Sequence, residues 1–235
     1  MTAHYHNIER SSEPVASSVL ASIGGVIRPN GHELSFYRKG LKPVLDVVLV
    51  VLSLPLVVPF ILALALLVAL DGGKPFYSQK RVGRNGRIYT MYKLRTMVLH
   101  AEAKLQGHLD ANPQARLEWD ATQKLKDDPR ITRFGRFLRK SSFDELPQLW
   151  NVLIGDMSLV GPRPMLPEQE TIYPGTAYFS LRPGITGLWQ IAERNNSSFA
   201  DRAKFDTAYN RSMSLMADLA IIAATFKVVM RGTGY

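Results

Sequence analysis

The alternation of apolar and polar positions is dominated by one run. From Val44 to Leu70 the chain carries a single charge, Asp46. A straight helix of that length would reach roughly 40 Å at ~1.5 Å per residue, more than the ~30 Å of a bilayer core. Pro55 and Pro59 lie near its middle, and each removes a backbone donor and crowds the preceding turn. Ser53 is placed to re-satisfy a freed carbonyl. Both flanks are basic, with Arg38, Lys39 and Lys42 before the run and Lys74, Lys80, Arg81, Arg84 and Arg87 after it. Basic flanks favour the cytoplasmic side. The pattern therefore predicts a membrane anchor over residues 36–72 that enters, breaks and returns. A plain single span and the core helix of a soluble protein are the alternatives.

The rest of the pattern is short-range. Residues 1–35 are rich in Ser, Gly, Pro, Asn and His and keep no period, which reads as a mobile tail with a short turn of structure at Val15–Ile27. Asp71–Pro75 is a turn. Phe76–Arg81 and Arg87–Leu94 flank a Gly83–Gly86 turn and predict a hairpin. His100–Lys124 predicts a polar helix broken at Asn112-Pro113. Asp127–Arg130 is a second turn, and Arg133, Arg136 and Arg139 or Lys140 share one helical face. Leu181–Ile191 predicts an Arg-Pro-Gly turn followed by a strand through T-G-L-W-Q-I. Phe199–Arg211 and Ser214–Met230 are amphipathic helices, the second suited to a membrane surface. These elements predict an α+β fold over 73–235, monotopic at the membrane, with a small β-hairpin, amphipathic interfacial helices and a re-entrant broken helix. No internal repeat is present.

One stretch concentrates the chemistry, R-K-S-S-F-D-E-L-P-Q-L-W-N-V-L-I-G-D-M-S-L-V-G-P-R-P from Arg139 to Pro164. Asp144 and Glu145 follow a basic pair, and Leu146, Leu149, Trp150, Leu153 and Ile154 recur at helical spacing. Ser142 and Glu145 have the spacing of a capping box, and moving the cap to Asp144 accommodates Pro147. That purely structural reading stands beside a chemical one. An ionised Asp is a nucleophile toward phosphorus. A neighbouring Glu can hold Mg²⁺, which favours one or two carboxylates plus substrate phosphates. Arg139 and Arg163 are suited to clamping phosphoryl oxygens, or simply to a solvated basic face or lipid headgroups.

Composition narrows the class. The chain has 235 residues, a formal net charge of +9 and no cysteine, so disulfides and thiolate zinc sites are excluded. The charge points to an anionic partner, whether phosphorylated ligand, anionic lipid or nucleic acid. Met1–Arg10 does not read as a signal peptide. No P-loop, H-E-x-x-H or G-x-S-x-G is present. None of the five histidines lies near the acidic pair in sequence, so no histidine base is suggested.

The run D-E-L-P-Q-L-W-N-V-L-I-G-D-M-S-L-V-G-P-R-P, with Y-K-L-R-T-M before it and R-P-G-I-T-G-L-W-Q after it, resembles the bacterial sugar transferases, the monotopic phosphoglycosyl transferases. The resemblance covers about Lys39–Tyr235. It looks closest to the small exopolysaccharide enzymes that transfer galactose-1-phosphate to undecaprenyl phosphate, an impression to which D-D-P-R and the ending R-G-T-G-Y contribute. Larger relatives carry further spans and a domain ahead of this module, for which the sequence has no room.

The resemblance implies that Asp144 attacks the sugar-bearing phosphate of a UDP-sugar and expels UMP. The polyprenyl phosphate then takes the phosphosugar from Asp144. Glu145 would bind Mg²⁺. Arg139 and Arg163 would bind phosphate, and Lys93 and Arg182 fall inside motifs of the active face. Pro59 matches the family's helix-breaking proline. The family often has Ser before it, where this chain has Val58, so Pro55 or Ser53 shares the break. The implied partners are a UDP-sugar, undecaprenyl phosphate and inner-membrane lipid, with no nucleic acid, and a homodimer is compatible with the sequence. The implied location is the cytoplasmic face of a bacterial inner membrane, and the sugar is galactose or glucose. A non-catalytic basic scaffold or nucleic-acid-binding protein is the rival reading; a direct ternary attack with Asp144 as base is another.

Overall fold

A computed structural model describes residues 36–122, 125–192 and 199–230; the expected tail and its turn at Val15–Ile27 lie outside them. A short π-helical turn at Tyr37–Leu41 runs into helix α1, Lys42–Ala69. It is the one helix among the described residues that is long and apolar enough to cross a membrane. Its inner stripe, Asp46, Val50, Leu54, Val57, Ile61, Leu64, Ala65 and Val68, steps by three or four and is buried or faces the body along the helix. The outer side, with Leu52, Leu56, Leu62 and Leu66, is exposed.

Both ends of α1 are fastened to the same body. At the start, Ser158 Oγ donates to Asp46 at 2.6 Å. Lys42 pairs with Asp218, which also accepts from Tyr37 at 2.8 Å and Tyr209 at 2.6 Å. At the end, Arg95 donates to the Val68 carbonyl at 3.1 Å and forks onto Asp71. The expected interruption is not present as a gap: the backbone remains helical through Pro55 and Pro59. Ser53 does bond back to a carbonyl, Val50 at 2.7 Å, but not to Val51, the carbonyl that Pro55 leaves without its helical donor.

The hairpin forms as the sequence predicts. Strand β1, Phe76–Val82, pairs antiparallel with β2, Ile88–Leu94. Asn85 and Gly86 adopt positive φ in the turn. Helices α2, Ala101–Ala111, and α3, Pro113–Thr122, meet at the expected break. Helix α4, Arg133–Ser141, carries the basic face and is capped by Thr132, whose hydroxyl accepts from Gly135 N at 2.8 Å. Helix α5, Gln148–Leu153, buries Asn151 and Val152 and exposes Trp150.

A second, parallel pair was not foreseen: β3, Ser158–Val160, beside β4, Gly184–Thr186. The turns after and before these strands cross backbone to backbone. A Cβ at Gly161 would meet the Arg182 carbonyl at 2.3 Å, and one at Gly187 would meet the Gly161 carbonyl at 2.0 Å. The glycines of the two motifs are thus a packing requirement. The strand expected through T-G-L-W-Q-I is corrected: only Thr186 and the two residues before it are extended, and Leu188–Ala192 is helix α6. Leu188 and Trp189 turn inward to join Tyr209, Phe205 and Ile221, from helices α7, Arg202–Ser212, and α8, Leu215–Met230. Burying that cluster decides the conformation over local β preference.

Candidate functional site

The end of β2 delivers Lys93, and the chain continues through Arg95 and Thr96 against α4. Thr132 N donates to the Thr96 carbonyl at 3.1 Å. Gly135 has no room for a side chain there, since its Cβ would lie 2.0 Å from that oxygen. Helix α4 ends at Ser142 in the left-handed region, φ 59°. The reversal leads into a 3₁₀ turn, Phe143–Glu145, that carries the acidic pair. The capping reading fails here. Ser142 closes α4 rather than opening a helix and makes no side-chain cap. The first residue before α5 is Pro147, so Asp144 caps nothing.

What holds the carboxylates is cationic. Lys93 Nζ lies 2.8 Å from Glu145 Oε1 and 3.7 Å from Asp144 Oδ2. Arg139 is fixed by donating from Nε to Thr96 Oγ1 at 2.9 Å, and its charge acts on Asp144. Asp144 is 8% exposed. Burial pushes its proton affinity above the usual carboxylate range, Glu145 adds to that, and Lys93 and Arg139 oppose it. Burial likewise lowers Arg139 from its ordinary value, against the pull of Asp144 and Asp128. A carboxylate stripped of water beside fixed cations is a competent nucleophile toward an anionic phosphoryl group, because the cations offset the repulsion.

Asn151, which sequence reasoning missed, ties α5 to the strand that carries Lys93. Its side chain accepts from Tyr92 N at 3.2 Å and donates to the Thr90 carbonyl at 2.7 Å, so α5 docks as a substitute strand on the free edge of β2. Its signal was a lone polar residue inside an apolar stripe. Beyond it an apolar trough runs between α1 and α5, walled by Leu54, Val57, Ile61, Leu146, Leu149 and Trp150. Leu146 directly follows Glu145, so the trough ends beside the acidic pair.

The other two arginines singled out in the sequence lie elsewhere. Tyr77 faces Lys93 across the hairpin and Arg81 faces Tyr89, so Arg81 shares the Lys93 face four residues along, about 13 Å away. Arg163 is at the Arg81 end. Its guanidinium stands 5.7 Å from the Trp189 ring centre, and Arg202 covers the same ring at 4.4 Å. Arg81 donates to the Pro164 carbonyl at 3.1 Å. No carboxylate makes an ion pair with these three arginines among the described residues. The buried Nε atoms of Arg81 and Arg202 have no acceptor among the described residues. Burial, together with Arg163 and Arg81, brings Arg202 down to about 10. Asp206 acts on Arg202 from beyond ion-pair distance, and the three guanidinium groups together are suited to an anion on the same hairpin face. Arg182 belongs to neither group; it lines a separate cavity with Arg84 and Arg87.

Asp144 and Glu145 are a two-carboxylate donor set. No group of three His, Cys, Asp or Glu side chains converges among the described residues. Two carboxylates fit Mg²⁺, which draws its remaining ligands from water and substrate phosphates; Glu145 would then be shared with Lys93.

Residues 37–232 match the model of the family described as Bacterial sugar transferase. The chain is 43% identical over 211 residues to a UDP-galactose-lipid carrier transferase of Erwinia amylovora, covering 89% of this chain and 44% of that protein. It is 44% identical over 214 residues to the exopolysaccharide production protein ExoY of Sinorhizobium fredii, covering 89% and 91%. It is 44% identical over 196 residues to an undecaprenyl-phosphate galactose phosphotransferase of Salmonella typhimurium, covering 83% and 41%. The chain thus spans less than half of two of these relatives and nearly all of the third.

Proposed function

The chain belongs to the bacterial sugar transferase family, and from that premise we propose that it transfers a hexose-1-phosphate from a UDP-sugar to undecaprenyl phosphate, an opening step of exopolysaccharide synthesis. The observation that carries the proposal is the placement of Asp144 and Glu145, paired with Lys93 and under the charge of Arg139 at the end of an apolar trough. Such a junction suits a reaction between a soluble anion and the phosphate of a lipid.

In the first step an Asp144 oxygen attacks the sugar-bearing phosphorus. The bond from that phosphorus to the bridging oxygen breaks, and UMP leaves with the electron pair. In the second step an oxygen of the lipid phosphate attacks the same phosphorus and Asp144 departs as carboxylate, leaving a polyprenyl diphosphate sugar. Lys93 and Arg139 hold Asp144 in place and offset charge in both steps. Arg163, Arg81 and Arg202 bind the nucleotide end of the donor, at about the separation that a nucleotide diphosphate sugar spans. Bound Mg²⁺ would supply further charge neutralisation, held by Glu145 with Asp144.

Helix α1 seats the site at the cytoplasmic face of the inner membrane and returns to the side it entered. What supports the re-entrant reading is its continuous inner stripe: a helix crossing to the far side would leave its distal half away from the body, yet Asp46 and Val68 both reach it. The test is UMP release from a panel of UDP-sugars, with and without undecaprenyl phosphate, combined with trapping of a phosphosugar on Asp144. Release of UMP only when the lipid is present, with no label on Asp144, would replace the covalent route by direct attack.

A further inference from the structure

A cavity of about 340 Å³ opens at the tip of the hairpin, on the far end of β2 from Lys93. Arg84, Arg87 and Arg182 line it, with Tyr89, Gly155 and Asp156. The guanidinium groups of the three arginines have no hydrogen-bond or ion-pair partner among the described residues. Tyr89 is 4% exposed, and its buried hydroxyl has no partner either. An unpaired buried hydroxyl costs ~1–3 kcal/mol, so an acceptor reaching Tyr89 from the cavity would be stabilised there. Three cations against one carboxylate select an anion. Asp156 adds an acceptor suited to hydroxyl groups beside that anion.

Position identifies the source. Ser158 donates from its N to the Pro183 carbonyl at 2.8 Å, next to Arg182, and from its Oγ to Asp46 of α1 at 2.6 Å, so the cavity lies beside the first turns of α1, where the Arg84 charge also acts on Arg38 and Arg182. The exposed apolar side of α1 begins there, at Val44, Val47 and Val48, and Ile88 and Ile154 are exposed next to the lining residues. With α1 seated in a bilayer, the cavity lies at headgroup level. We propose that it is a binding site for the phosphodiester headgroup of an anionic phospholipid bearing hydroxyls, of which phosphatidylglycerol is the type. The site is separate from the acidic pair and holds the hairpin tip at the membrane surface. The inference rests on α1 being membrane-seated, not on the transfer reaction.

The test uses the full chain in detergent, titrated with short-chain phosphatidylglycerol, short-chain phosphatidylcholine and UDP-galactose, each read by calorimetry. Saturable binding of phosphatidylglycerol is expected, with phosphatidylcholine far weaker. Arg84→Gln/Arg87→Gln should weaken the phosphatidylglycerol affinity about 30-fold, the loss of two near-surface cations. Tyr89→Phe keeps the ring packed against Val50 and Met91 and should weaken it several-fold, so the inference stays testable if the double variant misfolds. Equal affinity of wild type and both variants for phosphatidylglycerol overturns the proposal. So does a loss confined to UDP-galactose, which would assign the cavity to the nucleotide. Neither outcome depends on catalysis, so failure here is distinguishable from failure of the transferase reading.

Discussion

Replacing Lys93 by methionine isolates the electrostatics on which the site depends. The ammonium lies 2.8 Å from Glu145 and 3.7 Å from Asp144, with side-chain exposures of 21%, 17% and 11%. At the effective dielectric of ~20 typical of such positions, a pair at 3.7 Å is worth about 4 kcal/mol before desolvation. Removing one partner of a buried pair costs ~3–5 kcal/mol, because the other charge is left uncompensated. Partial exposure reduces this, so a loss of ~2–4 kcal/mol is expected for Lys93→Met. For a chain of this length that is a fall in apparent melting temperature of roughly 5–15 °C. The assay is thermal unfolding of the detergent-solubilised chain, run as a cycle with Glu145→Gln. If the loss comes from stranded carboxylates, Lys93→Met/Glu145→Gln should recover much of it, since only Asp144 then remains ionisable beside Arg139. UMP release should stay low in every variant lacking Lys93. A Lys93→Met protein as stable as wild type, or one that Glu145→Gln fails to rescue, refutes the reasoning.

Asp144→Asn should abolish sugar-phosphate transfer while leaving the melting temperature unchanged or higher, since burial already disfavours the charged form at that position; full turnover in this variant would end the assignment. Glu145→Gln should weaken the dependence of UMP release on added Mg²⁺, read from a magnesium titration. Arg163→Gln should raise the KM for the UDP-sugar about 10–100-fold, one charge-assisted hydrogen bond, with the KM for undecaprenyl phosphate unmoved. Asp206, 5% exposed and bonded by Tyr173 at 2.7 Å, is pushed up to about 7, first by burial. Its folded-state value exceeds the unfolded one, so the stability it contributes is present below about pH 4 and lost as pH rises through about 7. Asp206→Asn should therefore gain up to ~4 kcal/mol over wild type above pH 7 and nothing near pH 4, measured as the difference between paired melts.

The elements legible in the sequence were those set by local chemistry. The hairpin followed from a Gly-Arg-Asn-Gly turn between alternating segments, the α2–α3 break from Asn112-Pro113, and α4 from its cationic face. The acidic pair was legible as chemistry but not as geometry. Its supposed capping role dissolved because Ser142 takes a left-handed conformation that no local pattern announces. Lys93 could be named from its motif, yet its grip on Glu145 depends on β2 and α4 being joined through Thr96, a contact between distant segments. Arg163 and Arg182 were grouped with the pair because their motifs adjoin it in sequence. The parallel β3–β4 pair routes the two motifs apart, sending Arg163 toward Trp189 and Arg182 toward the hairpin tip. Strands of three residues carry too little periodicity to be read in advance, and their placement turns on three glycines meeting backbone to backbone.

The same pairing explains why anchor and site act as one unit. Strand β3 begins at Ser158, which holds Asp46 of α1, and ends where Gly161 crosses β4. Helix α5, just before β3, carries Asn151 onto β2, the strand that ends in Lys93. Asp46 in the apolar helix is thus linked to Lys93 by two hydrogen-bonded junctions and one short helix. A polar residue in an otherwise apolar run is costly unless satisfied, and here its satisfaction fixes the depth of the catalytic turn relative to the helix. Asp46→Ala would leave Ser158 to find another partner, while Lys42 kept Asp218 and the helix kept its length and apolarity. The chain would still enter the membrane, but with the acidic pair no longer held at the level of the lipid phosphate, so transfer to the lipid should fall further than UMP release in the first half-reaction.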